Sequence, residues 1–244
     1  SGTQETPLVS FFDALQPSFS LIFNNTLTSV TLPLSTSYSN YWFNLTIDWG
    51  DGTIENYNSN LSSSAPSHSY TSGSIYTLKM YGTDPSENIK VKIFGTANTT
   101  WTGHDKLTSV TTSESTTWGF ESIESIDGLF NNCDNLTSVP TNIPVSLLDI
   151  SKLFYNMENI SLPVINSWTT NNITNMNSMF YNCTSFNQDI SGWVVSNVNN
   201  INNMFSNCSS FNQDISSWNV SKVTTMSATF SSCSSFNQDI SGWD

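Results

Sequence analysis

Apolar side chains recur along the second half of the chain at intervals close to 25 residues. Phe130, Phe154, Phe180, Phe205 and Phe230 mark the period. Three residues after each stands Cys133, Met157, Cys183, Cys208 or Cys233, and three further on Leu136, Ile160, Phe186, Phe211 or Phe236. Four before the aromatic are Ile126, Ile150, Met176, Ile201 and Met226, and seven before it Ile123, Leu147, Ile173, Val198 and Val223. Trp118, Trp168, Trp193 and Trp218 form another column, which Asn142 interrupts. A fixed period of this size predicts a stack of coils, and columns that stay apolar predict its core.

Within a coil the spacing changes character. Val198, Ile201, Met204 and Phe205 fall at i, i+3, i+6 and i+7, which predicts one face of a short helix. Residues 186–190 lack that period and read as a short strand before a turn at Ser191-Gly192. One short helix and one short strand per coil predict a leucine-rich-repeat solenoid, with strands of successive coils paired in parallel about 4.8 Å apart. It is expected to span 96–244, with coils near 107–139, 140–164, 165–190, 191–215 and 216–240. The sequence stops mid-repeat at Trp243-Asp244, so further repeats, a cap, or docking of that end on another chain is expected.

Residues 1–95 do not share the period. Segments 19–23, 30–34, 41–52, 74–82 and 88–95 alternate and are separated by Ser, Asn, Gly and Pro clusters, which predicts strands. Several short strands in this length predict an all-β, immunoglobulin-like sandwich. The fold class expected is therefore mixed: a β-sandwich followed by a solenoid.

Four cysteines in one column raise the question of disulfides or a metal. Met157 takes the same place in the second coil, and the remaining thiols do not pair off evenly. The column therefore reads as buried free thiols, in a core shared with the tryptophan and phenylalanine columns. No Cys-x-x-Cys is present, and His68 and His104 lie outside the repeats, so zinc is not expected. Asp189, Asp214 and Asp239 form a column that could be a cation ladder. The earlier coils carry Val139 and Pro163 there, which favours a solvated edge or carboxylates capping turn amides.

Two resemblances follow from particular strings. Ile47-Asp48-Trp49-Gly50-Asp51-Gly52, then His68-Ser69-Tyr70, then Gly73-Ser74-Ile75-Tyr76-Thr77-Leu78, resemble the polycystic-kidney-disease (PKD) type of immunoglobulin-like domain. In that family the aspartates, here Asp48 and Asp51, shape the turn. The repeat, with its F-x-x-C-x-x-L/F core and its Phe-Asn-Gln-Asp-Ile-Ser-Gly-Trp tail, is similar to the BspA-like leucine-rich repeats. That resemblance implies a protein of a cell or particle surface, and it carries over no catalytic residue.

Composition narrows the function. The formal net charge is −13, with six lysines and no arginine, so nucleic acid and anionic membranes are unsuitable partners. No apolar stretch approaches the length of a membrane span. Ten sequons, at Asn24, Asn44, Asn60, Asn98, Asn135, Asn159, Asn172, Asn182, Asn207 and Asn219, are about what chance gives for a chain so rich in Ser, Thr and Asn. In a eukaryotic secretory pathway exposed ones would carry glycans, with Asn182 and Asn207, next to core cysteines, the least suited. No motif for a nucleophile, a metalloprotease or a phosphate-binding loop is present. The expected function is a non-enzymatic extracellular protein on a cell or virion surface, an adhesion or ligand-binding module without a cofactor. Its partners would be a protein or glycan on another surface, or copies of itself. The alternative is a structural subunit of a filament, appendage or coat assembled through the repeats.

Overall fold

A computed structural model describes residues 18–34, 45–57, 65–82, 101–112 and 123–243. The strand predicted at 88–95 and Trp118 lie outside these residues. Among the described residues seven strands form: β1 (Ser18–Phe23), β2 (Ser29–Thr31), β3 (Leu45–Asp48), β4 (Ile54–Tyr57), β5 (Ser67–Ser69), β6 (Tyr76–Gly82) and β7 (Leu107–Thr112). β4, β3, β6, β1 and β7 lie in that order in one sheet, and β2 pairs with β5 in a second. Every pairing is antiparallel. Phe19, Leu21 and Phe23 alternate along β1 and are buried. Leu21 lies opposite Leu78 of β6 on one side and Val110 of β7 on the other, so one apolar row crosses three strands. Val30 of β2 and Tyr70, just past β5, join the same core. Two sheets around one core admit an immunoglobulin-like sandwich.

The leucine-rich-repeat solenoid predicted for 96–244 does not form. No α-helix occurs among the described residues, and 186–190 is not a strand. Successive coils are instead joined by isolated parallel bridges, Ser125 to Asp149 to Asn175 to Asn200 to Thr225. The segment read as a helix is a run of turns. Met204, Ser206 and Cys208 donate N–H bonds to the carbonyls three residues back, at Ile201, Asn203 and Phe205. The alternate N–H groups leave the coil altogether: Ile201, Asn203, Phe205 and Asn207 donate to Thr225, Ser227, Thr229 and Ser231 of the next one, at 2.8–3.0 Å.

In an α-helix the N–H of Phe205 would bond Ile201; here it reaches Thr229. Positive φ at two places per coil makes this possible, at Asn203 (53°) and Asn207 (64°) in the fourth coil and at Gly128 and Asn132 in the first. A single helical turn per coil would gain few hydrogen bonds for its nucleation cost. The turns bring the same apolar positions inward and leave every second amide free to hold the neighbouring coil.

β7 joins the two parts. The segment 107–112, expected to open the first coil, is an edge strand of the five-stranded sheet. On its far side it pairs in parallel with the first coil at Ser109 and Ser138. Val110 donates to the Ser138 carbonyl and Thr137 to that of Thr108, each at 2.9 Å. The Trp101 indole adds a bond to the Leu129 carbonyl. One continuous core runs from the sheets into the coils.

Candidate binding surface of the coil stack

The eight-residue tail repeated nearly verbatim is accounted for residue by residue. Phe186 and Phe211 are fully buried and stack on each other at 5.7 Å. Asn187 accepts, through its side-chain oxygen, the N–H of Asn212, and Asn212 does the same for Asn237. Gln213 donates to the carbonyl and side-chain oxygens of Asn187, and Gln238 repeats this on Asn212. These amides form a ladder from coil to coil on the outside. Ile190 and Ile215 are buried.

The aspartate column does not converge on a common point. Each Oδ1 accepts the N–H of the serine two residues on, Asp189 from Ser191, Asp214 from Ser216 and Asp239 from Ser241, all at 2.9 Å. Hydrogen bonds from those serines hold the three carboxyls below the usual carboxylate value. Among the described residues no group of His, Cys, Asp and Glu is arranged to hold a metal ion.

The cysteine column is buried and unpaired. The thiols do more than fill space. Cys183, Cys208 and Cys233 donate to the carbonyls of Phe154, Phe180 and Phe205, one coil back, at 3.0, 2.9 and 2.7 Å. Burial pushes the Cys133 and Cys183 thiols well up and that of Cys233 to about 11. The tryptophans behave alike: the indoles of Trp168, Trp193 and Trp218 donate to the carbonyls of Pro140, Ile165 and Ile190. Trp168 and Trp193 stack at 6.5 Å and 7°. Phe154, Phe180, Phe205 and Phe230 stack at 5.6–5.8 Å from coil to coil.

The sequons differ in setting. Asn135, Asn159, Asn172 and Asn219 are exposed, Asn24, Asn182 and Asn207 half-buried, and Asn44, Asn60 and Asn98 outside the described residues. The side-chain nitrogens of Asn135 and Asn172 already donate to the carbonyls of Asp105 and Val145. Asn182 and Asn207 occupy left-handed backbone.

In the sheets, Asp48 accepts the N–H of Gly50 and Asp51 that of Thr53, so both shape the turn. Asp51 also pairs with His68 at 2.7 Å, and His68 stacks on Trp49 at 5.0 Å. Burial works against the Asp51 charge, but the bonds from His68 and Thr53 hold its carboxyl below the usual value.

One half-exposed feature departs from the repeat and was not read from the sequence, in a column whose Asn131 and Ser206 are buried. Tyr155 and Tyr181, in adjacent coils, stack at 4.6 Å and 7° on the half-exposed surface. The other coils carry Asn131, Ser206 and Ser231 there. The signal was a tyrosine pair in a column that is otherwise small and polar.

Residues 148–244 match a family model described as a Mycoplasma protein of unknown function, DUF285. The match covers less than half of the chain, in the region of the coils, and is consistent with a BspA-like surface protein. No curated protein and no solved structure matches the chain. No helix among the described residues is long and apolar enough to cross a membrane.

Proposed function

We propose that this chain is a non-enzymatic surface protein whose coil stack presents a binding face to a glycan or protein on another surface. The N-terminal sheets, read as a PKD-like domain, hold the stack through β7. One observation carries the reading: the residues that repeat verbatim are engaged in stacking, and among the differences between coils is a half-exposed tyrosine pair. That pair is Tyr155 and Tyr181. The test is adhesion. Fluorescently labelled protein should bind a cell or matrix surface saturably and be displaced by unlabelled protein. Failure to bind any of a panel of epithelial cells, mucin and matrix proteins would remove the reading.

A further inference from the structure

The geometry points to the Tyr155–Tyr181 stack as the contact point for a neutral glycan. This rests on the binding-module reading and gives it a site and a ligand class.

Coil stacking does not require the tyrosines. Serine stands in their column at 206 and 231, and at Ser206 the backbone bonds match those at Tyr181: each donates to the carbonyl three residues back, and each carbonyl accepts from the coil before. The tyrosine rings stack nearly parallel at 4.6 Å, about the spacing of paired strands, so each lies directly over the other from coil to coil. Among the described residues neither phenol has an acceptor, unlike those of Tyr70 and Tyr76, which bond the carbonyls of Trp49 and Thr71.

Each tyrosine is followed by a half-exposed asparagine in left-handed backbone, Asn156 at φ 60° and Asn182 at φ 59°. Paired aromatic surface with free phenols and flanking amides is the chemistry that recognises a sugar. The C–H faces of a pyranose pack on the rings, and amides and phenols offer donors and acceptors to vicinal hydroxyls. The ligand is neutral because the protein carries a net charge of −13 and would repel acidic polysaccharides.

The test is affinity electrophoresis of the full chain through native gels containing galactan, mannan or β-glucan. Retardation by at least one is expected. Tyr155→Ser and Tyr181→Ser, which copy residues this column already accepts, should each weaken it tenfold or more with the thermal midpoint little changed. Tyr181→Phe should retain the stack and lose part of the affinity. Absence of retardation by all three polysaccharides overturns the proposal, and so does unchanged retardation of both serine variants. Cell adhesion that both serine variants keep would overturn the glycan site and leave the binding-module reading standing. If cells are not bound, that reading fails on its own.

Discussion

The thiol of Cys208 lies 2.9 Å from the carbonyl oxygen of Phe180, to which it donates from one coil to the one before. Phe180 also accepts the N–H of Cys183, so the thiol adds a second bond to an oxygen already satisfied. Cys208→Ala should therefore cost about 1–2 kcal/mol, the sum of a modest hydrogen bond and a small cavity, without leaving an orphaned acceptor. Urea unfolding of the two proteins measures it.

The same burial gives stability a pH limit. The thiols bind their protons more tightly folded than unfolded, so their contribution is complete below the ordinary thiol value near 9 and is lost as pH rises above it. Stability should fall between pH 9 and 11, by up to about 1.4 kcal/mol per pH unit for each fully buried thiol. Replacing Cys133 and Cys183 with alanine should flatten the slope. In the native state at pH 8 a thiol reagent should label neither, and both should react after denaturation.

Left-handed backbone at Lys152 (52°) and Ser178 (54°) carries side chains poorly suited to it. Lys152→Gly should stabilise the coils by about 0.5–1 kcal/mol, because the relief of left-handed strain exceeds the entropy lost by glycine. Asn203→Val should do the opposite, by about 1–2 kcal/mol. Thermal midpoints of the two variants should move in opposite directions.

Gly50 tests the sheets. Its φ is 82°, and a Cβ there would meet the Thr77 carbonyl oxygen at 2.4 Å. Thr77 is held in β6 by its pairing with Ile22 of β1, and the contact is with backbone rather than a flexible side chain. Gly50→Ala should cost about 2–4 kcal/mol. A near-native unfolding midpoint would contradict the turn geometry.

Trp193 combines an indole bond to Ile165 at 2.8 Å with its stack on Trp168. Trp193→Ala should cost about 3–5 kcal/mol and Trp193→Phe about 1–2 kcal/mol, since the ring volume is partly kept and Ile165 still accepts the Trp168 N–H. Equilibrium unfolding followed by the coil signal checks both.

The apolar columns were legible because burial writes itself into hydrophobicity, and Phe130 through Phe230 could be aligned by eye. The helix was misread because i, i+3, i+6 and i+7 spacing is also what consecutive turns require when Asn203 and Asn207 accept positive φ. The bridging column, Ser125, Asp149, Asn175, Asn200 and Thr225, is polar and has no hydrophobic signature at all. The β7 junction had a signal that went unread: Leu-Thr-Ser-Val occurs at 107–110 and again at 136–139, and these copies lie side by side. The tyrosine pair carries no periodic signal, because its column otherwise holds Asn131, Ser206 and Ser231.

The alternate amides that leave each coil give the stack a direction. The carbonyl of Asn200 accepts from Met176 in the coil before, while the N–H of the same peptide group, on Ile201, donates to Thr225 in the coil after. The groups ending at Asn203, Phe205 and Asn207 are oriented the same way, while Val194, Asn199, Ser210 and Asn212 donate backward, to Thr170, Thr174, Thr184 and Asn187. An inverted coil would set N–H against N–H along the forward row, so coils pair through these amides in one orientation only.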